Sequence, residues 1–164
     1  MSKIAELEEL AERVTLKRIT RRNLGAILRL KVKPKQEFLV ATNAKSIAQA
    51  HFYREAWYRA IYLGDTPIGF VLLVDRTLKY KRIKQKNPTL YLWRLMIDGK
   101  YQGNGYGRDA VELVIDHLKT RPNAKEITLH HEQTEGNAGE FYEKLGFKLT
   151  GKVEHNELER KLIL

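Results

Sequence analysis

The chain has 164 residues, of which 43% are hydrophobic, and its formal net charge is +10 at pH 7. This length suits a single domain, predicted over 1–164, in which residues 1–13 form either a helix of that domain or an N-terminal helical extension. Cysteine is absent, which excludes disulfides, thiolate chemistry and cysteine-zinc sites. The sequence has no secretory signal and no apolar run long enough for a bilayer, so we expect a cytoplasmic protein without a membrane partner.

The positive charge is concentrated in one segment. Six basic residues and no acidic one lie between Arg76 and Lys86. Such a segment fits a nucleic-acid binder, an anion site or a solvated surface. No nucleic-acid binding motif accompanies the charge, so we do not expect a nucleic-acid partner.

The first half of the chain predicts three helices and three strands. Helical spacing of apolar residues occurs in 2–13, Thr20–Leu30 and Asn43–Ala56, and Val14–Ile19 alternates as a half-buried strand. Two further strand-like runs, Trp57–Leu63 and Ile68–Val74, are separated by the turn sequence GDTP. We therefore predict that these two runs pair as an antiparallel hairpin.

The second half predicts a central strand followed by the longest helix. The predicted elements in order are a strand over Thr89–Ile97, a helix over Gly105–Lys119, a strand over Lys125–His131, a short helix over Asn137–Leu145, and two strands that turn at His155 and Asn156. We find no internal repeat or interdomain linker.

Three glycines lie in the turn between the central strand and the long helix. Gly103, Gly105 and Gly107 remove side chains where main-chain N–H groups would approach a ligand, and the following helix begins with unpaired N–H groups and the positive end of its dipole. A pyrophosphate would fit there. The spacing does not match the dinucleotide fingerprint, because Arg108 stands where its last glycine belongs, and it does not match the Walker loop.

The spacing does match Q-x-x-G-x-G, formed by Gln102, Gly105 and Gly107, and this resembles the acetyl-CoA pyrophosphate loop of the GCN5-related N-acetyltransferase (GNAT) family. The segment NAGEFYEKLGF, residues 137–147, resembles the Asn-to-Tyr helix of the same family. Three longer stretches resemble the bacterial spermine/spermidine acetyltransferases of that family, namely FLVATNAKSIAQAHF, AIYLGDTPIGFVLLVD and YLWRLMIDGKYQGNGYG.

The resemblance implies an α/β (α+β) fold with a mixed, mostly antiparallel sheet of about six to seven strands, flanked by helices and with a splayed central strand. It also implies acetyl-CoA as cosubstrate, no metal, and a bulge near the end of the central strand that frees main-chain groups. The implied acetyl-CoA contacts are Leu95, Met96, Ile97, Gln102, Gly103, Asn104, Gly105, Tyr106, Gly107, Arg108, Asn137 and Tyr142.

The chemistry of acetyl transfer to an amine needs a proton donor for the departing thiolate and a neutral amine. Tyr142 is the candidate general acid, because a phenol is protonated at neutral pH. The base is open. The start of the central strand carries no carboxylate to fill that role, and Glu132 and Glu135 are weaker candidates that are more often solvated charges.

Two further features have competing interpretations. His130 and His131 are neighbours on a strand and so point to opposite faces, which argues against a shared metal ion. Arg94 lies within an apolar run and needs a partner, which we expect to be either a structural ion pair or a cofactor or substrate.

We predict a primary amine acceptor, with a polyamine such as spermidine or spermine favoured. A polycation needs carboxylates in its site, and the candidates are Glu37, Glu55, Asp75, Glu132 and Glu135. The alternatives are transfer to a protein N-terminus, a lysine or an aminoglycoside, and a CoA-binding module without turnover. The oligomeric state is open, with a homodimer among the options.

Overall fold

The computed structural model describes residues 13–75, 90–121 and 124–164. The basic segment 76–86 and most of the predicted N-terminal helix lie outside these ranges. The helices and strands are β1 (Val14–Lys17), α1 (Leu24–Arg29), α2 (Asn43–Ala50), β2 (Ala56–Leu63), β3 (Thr66–Asp75), β4 (Leu90–Ile97), α3 (Tyr106–Lys119), β5 (Glu126–Glu132), α4 (Gly139–Lys144), β6 (Lys148–Glu154) and β7 (Glu157–Ile163). A 3₁₀ helix that the sequence did not predict covers Pro34–Gln36.

The seven described strands form one mixed sheet in the order β1-β2-β3-β4-β5-β7-β6. Every neighbouring pair is antiparallel except β4 and β5, which are parallel. The predicted hairpin of β2 and β3 is confirmed, and so is the C-terminal hairpin, whose turn residues His155 and Asn156 both have positive φ. The predicted fold class is therefore confirmed.

The sheet opens between its two central strands. β4 and β5 pair at Leu90 with Ile127 and at Tyr91 with Thr128, and the pairing then stops. On its other edge β4 stays paired with β3 as far as Ile97. The register of that pair shifts between Leu72 and Leu73, so the bulged residue on β4 is Trp93. The bulge thus lies before the predicted span of Leu95 to Ile97.

Each face of the sheet is covered by its own hydrophobic core. One core joins β4 and β5 to α3 and α4 and contains Leu92, Val114 and Tyr142. The other joins the sheet to α1 and α2 and contains Ile27, Ala50 and Met96. None of the helices in the described ranges is long and apolar enough to cross a membrane.

The helix predictions were too long at their ends. The helix predicted over Thr20–Leu30 begins at Leu24, and α2 ends at Ala50 rather than Ala56. The side chains of His51, Phe52 and Tyr53, which the prediction included in the helix, are exposed in the structure.

A glycine on β3 allows a close approach to the C-terminal end of β4. A Cβ at Gly69 would lie 2.5 Å from the main-chain oxygen of Met96 and 2.9 Å from Cδ1 of Ile97. Both contacts belong to the segment of β4 that faces the opening. The absence of a side chain at Gly69 therefore positions that segment.

Candidate functional site

One cleft of about 1080 Å³ occupies the opening between β4 and β5. It runs from the glycine turn, past the end of β4 and the start of α4, to β5 and β7. Every sequence-predicted contact residue except Asn104 lines it. The structure thus brings into one cavity residues that are spread from Leu95 to Tyr142.

The glycine turn forms one end of this cleft. Gly103 and Gly105 have φ angles of +87° and +86°, and a Cβ on either residue would extend into open space. The first described bond of α3 runs from the N–H of Arg108 to the oxygen of Gly105, at 2.9 Å. The preceding N–H groups have no acceptor inside the helix, so the turn and the helix end together form an uncovered anion site.

The end of β4 presents main-chain groups to the cleft. The N–H of Asp98 donates to the oxygen of Ile68 on β3, at 2.8 Å. Alternate residues of a strand direct their main-chain polar groups to opposite edges. The N–H groups of Leu95 and Ile97 therefore point to the edge of β4 from which β5 has separated. Gln102 fixes the turn to this edge, since its Nε2 donates to the oxygen of Ile97 at 2.9 Å.

Asn137 holds the start of α4. Its Oδ1 accepts from the N–H of Gly139 and its Nδ2 donates to the oxygen of Thr134, both at 2.6 Å. A Cβ at Gly139 would lie 2.7 Å from that Oδ1 and 2.9 Å from Cε1 of His131. Asn137 therefore lines the cleft and also orders the helix that carries Tyr142.

His131 and Arg160 position α4 through hydrogen bonds and an ion pair. The Nε of Arg160 donates to Nε2 of His131 at 3.0 Å, so the proton of this neutral imidazole is on Nδ1, which donates to the oxygen of Glu132 at 2.9 Å. Arg160 also donates to the oxygen of Phe147 and lies 3.8 Å from the carboxylate of Glu143 on α4. No local sequence signal marks this buried pair, because β7 meets β5 only in the folded sheet.

Tyr142 lies in the cleft wall between two aromatic rings, Phe141 and Phe147. Burial raises the pKa of its hydroxyl above the ordinary value, and Tyr91 raises it further. Tyr142 is therefore protonated at neutral pH. The same burial disfavours the phenolate, which makes it a reluctant proton donor.

Tyr91 and His130 form a second polar group at the point where β4 and β5 separate. Tyr91 alternates with the core residues Leu90 and Leu92, and His130 with Leu129 and His131, so both side chains leave the sheet on the α1 and α2 face. The Tyr91 hydroxyl lies 3.2 Å from Nδ1 of His130. The sequence alone does not pair these two residues, because the contact depends on the parallel register of β4 and β5.

The far side of His130 faces a carboxylate. Its Nε2 is buried, has no hydrogen bond among the described residues, and lies 3.8 Å from Oε2 of Glu159. The other oxygen of Glu159 accepts from the Thr150 hydroxyl at 2.8 Å and lies 3.4 Å from Nζ of Lys152. Glu159 therefore places a carboxylate beside the imidazole of His130, on the side away from Tyr91.

Carboxylates line the end of the cleft beyond His130. Glu132 and Glu157 face each other across β5 and β7 and both border the cavity, and Glu154 is the next cross-strand neighbour. Neither Glu132 nor Glu157 has a cation within 4 Å among the described residues. Like charges directly opposite each other are destabilising, and a bound cation would relieve the repulsion.

The other predicted carboxylates lie elsewhere. Glu37, Glu55 and Glu135 do not border the cleft, and Asp75 is buried 3.6 Å from Arg121. Glu157 was missed because β7 enters the sheet beside β5, a pairing with no local sequence signal. In the described part of the chain, no group of three or more His, Asp or Glu is arranged to hold a metal ion.

Comparisons with known proteins agree with this geometry. A family model described as the acetyltransferase (GNAT) family matches residues 26–147. The spermine/spermidine N(1)-acetyltransferase of Bacillus subtilis strain 168 is 26% identical over 148 residues, which cover 87% of this chain and 93% of that protein. The peptidyl-lysine N-acetyltransferase YjaB of Escherichia coli K12 is 30% identical, over 74% of this chain and 82% of that protein.

Solved structures share the fold. An acetyltransferase from Thermus thermophilus superposes with a TM-score of 0.72 at 16% identity and covers 92% of this chain and 97% of that one. Arabidopsis thaliana Naa50, in complex with the bisubstrate analogue CoA-Ac-MVNAL, superposes at 0.62 with 22% identity, covering 91% and 97%. The chain belongs to the GNAT acetyltransferase family. It is an N-acetyltransferase, and the family predicted from its glycine turn is confirmed.

Proposed function

We propose that this enzyme transfers the acetyl group of acetyl-CoA to a primary amine of a polyamine. The observation that carries the proposal is the order of groups along one cleft: an anion-binding turn, an uncovered strand edge, two tyrosines with a histidine, and a pair of carboxylates. An anionic cofactor suits the first end, and a cationic acceptor suits the last.

The residues present fit acetyl-CoA. The uncovered main chain of Gly103 and Gly105, with the N-terminus of α3, would hold the pyrophosphate, and the side chains of Tyr106 and Arg108 border the same end. The free edge of β4 at Leu95 to Ile97 would bind the pantetheine arm and the acetyl oxygen. Acetyl-CoA supplies the acetyl group as a reactive thioester.

Two sets of side chains would move the protons. Tyr91 accepts the proton of the attacking amine while its own proton passes to Nδ1 of His130, whose positive charge Glu159 stabilises. Tyr142 gives a proton to the departing sulfur. The pair of Tyr91 and His130 therefore takes the place of the missing base, and Glu135 does not border the cleft.

The polyamine acceptor is supported by two observations. The Bacillus relatives are named as acetyltransferases of spermine and spermidine. Glu132 and Glu157 would bind a distal ammonium while another amine reaches Tyr91. The names of YjaB and of the Naa50 complex instead support a protein lysine or N-terminus as the second candidate. The cytoplasmic location and the homodimer remain predictions.

The first prediction tests the glycine turn. Gly105→Glu should reduce acetyl-CoA affinity at least about tenfold, because a carboxylate would stand where the main chain meets pyrophosphate. Isothermal titration calorimetry measures this. Gly151→Glu is the matched control, since Gly151 has a φ of +84°, open space for a Cβ, and a position outside the cleft. Equal affinity losses in the two variants would show that strain, not the turn, is responsible.

The second prediction concerns the acid. Tyr142→Phe keeps the ring between Phe141 and Phe147 but removes the proton. We expect kcat to fall by about 10²- to 10⁴-fold, toward the lower end because burial makes this phenol a reluctant donor, with acetyl-CoA affinity unchanged. Steady-state kinetics with calorimetry decides. A variant with wild-type kcat would make Tyr142 a packing residue.

The third prediction concerns the base. His130→Asn keeps an acceptor for the Tyr91 hydroxyl but cannot take up a proton. We expect kcat to fall about 10²-fold or more, with acetyl-CoA affinity unchanged. His51→Asn, which changes an exposed histidine, is the control and should behave as the wild type. A wild-type kcat in His130→Asn would contradict the assignment.

The fourth prediction concerns the acceptor. The wild type should acetylate spermidine with a higher kcat/KM than an N-terminal peptide. In the Glu132→Gln, Glu157→Gln double variant, KM for spermidine should rise at least about tenfold while KM for a simple monoamine stays constant. Glu112→Gln on the exposed face of α3 is the control. A higher kcat/KM for the peptide would overturn the polyamine assignment and leave the acetyltransferase assignment intact.

A further inference from the structure

Arg94 is a half-buried cation in the wall of the cleft, next to the acceptor end. It projects from β4 toward α2, on the same face as Tyr91. The expected ion pair is absent, because no carboxylate of the described residues lies within 4 Å of its guanidinium. Burial lowers its pKa, while Tyr91 and Glu157 act in the opposite direction. An arginine nonetheless stays charged at every physiological pH.

The hydrogen bonds of Arg94 fix the position of its guanidinium and do not orient it toward a ligand. Its Nη1 donates to the oxygen of Trp93 at 2.8 Å and its Nη2 donates to Oε1 of Gln49 at 3.5 Å. Its Nε is buried and has no hydrogen-bond partner in the described part of the chain. The guanidinium also lies 4.9 Å from the centre of the Trp93 ring. The buried Nε cannot take part in the side-on pair of donors, Nε and Nη2, that would bind a carboxylate. The guanidinium is thus a positive charge held in one position in the cleft wall.

We propose that Arg94 keeps the reacting amine of the acceptor in its neutral, nucleophilic form. The inference rests on the proposed function, which places that amine beside Tyr91. A free primary amine has a pKa near 10.4 and is mostly ammonium at neutral pH. Arg94 and Tyr91 leave β4 on the same face and both line the cleft, so a fixed cation at Arg94 disfavours an ammonium beside Tyr91. Because Glu132 and Glu157 would bind the distal ammonium, only the reacting nitrogen would be exposed to the positive potential of Arg94.

Several other polar and charged groups face the position proposed for the reacting amine. Tyr91 lies on β4, His130 and Glu132 on β5, Glu157 on β7 and Tyr142 on α4, while α2 contributes the neutral Gln49. Protonation of His130 would produce a fall of kcat at low pH similar to that from an ammonium. The experiment therefore has to identify which group titrates.

The test is the pH dependence of kcat at saturating acetyl-CoA and acceptor, measured with spermidine and with a fluorinated primary amine of lower pKa. In the wild type the acidic limb should lie at lower pH for the fluorinated amine, which identifies the amine as the titrating group. In Arg94→Met the limb should move upward by about one pH unit for both acceptors, because the cation is gone. Arg94→Lys keeps the positive charge, so its acidic limb should move by no more than about a third of the shift expected for Arg94→Met.

Two further variants separate charge from structure. Arg94→Gln is a second neutral variant that can still donate to Trp93, and it should shift the limb as Arg94→Met does. Arg59→Met is the matched control, because Arg59 binds the oxygen of its neighbour Tyr58 and stacks on Trp57 in the same way but lies outside the cleft. It should not move the limb.

The outcomes are distinguishable. An unmoved limb in both neutral variants, or an equal shift in Arg94→Lys, would overturn the role of Arg94 while the enzyme still acetylates amines. An acidic limb at the same pH for both acceptors would overturn the role of Arg94 as well. A wild type that acetylates no amine at any pH would instead overturn the proposed function.

Discussion

The separation of β4 from β5 is the constraint on which the rest of the site depends. Parallel strands normally continue side by side, yet here pairing ends at Tyr91 and Thr128. The unpaired edge of β4 would be costly if buried without a partner, and it is tolerated because it lines a cleft. The same event places the Tyr91 and His130 side chains together and leaves room above them. Binding surface and proton-handling groups therefore arise from one irregularity of the sheet.

Two networks of polar residues, one on each face of the sheet, flank this opening. On one face, Arg160 binds His131 and the end of α4, and Asn137 caps the start of the same helix. On the other face, Glu159 supports His130 and is itself fixed by Thr150. Because His130 and His131 are adjacent on β5, one strand separates a structural imidazole from the one that we propose as proton acceptor. Their different roles follow from which face of the strand each occupies.

The sequence was sufficient for the fold class and the family, because these depend on local motifs whose spacing is preserved in the structure. The glycine turn and Tyr142, which it proposed as cofactor contacts, both border one cleft. The sequence was insufficient where non-local register matters. Trp93 bulges only in relation to Leu72 and Leu73 on β3, and Glu157 reaches the cleft only because β7 inserts between β5 and β6. The pairing of Tyr91 with His130 has the same origin. Arg94 was correctly marked as unusual, but only the structure shows that none of the described carboxylates forms an ion pair with it.

The opening between β4 and β5 can be tested as the site of acetyl transfer by a crystal structure with a bisubstrate compound in which CoA is joined to spermidine through an acetyl bridge. We expect the pantetheine arm between β4 and β5 beside Leu95 and Ile97, the pyrophosphate over Gly103 to Gly107, the sulfur next to the Tyr142 hydroxyl, and the linked nitrogen next to Tyr91. A compound bound with its pantetheine arm outside the opening between the two strands, or with its polyamine directed away from Glu132 and Glu157, would contradict it.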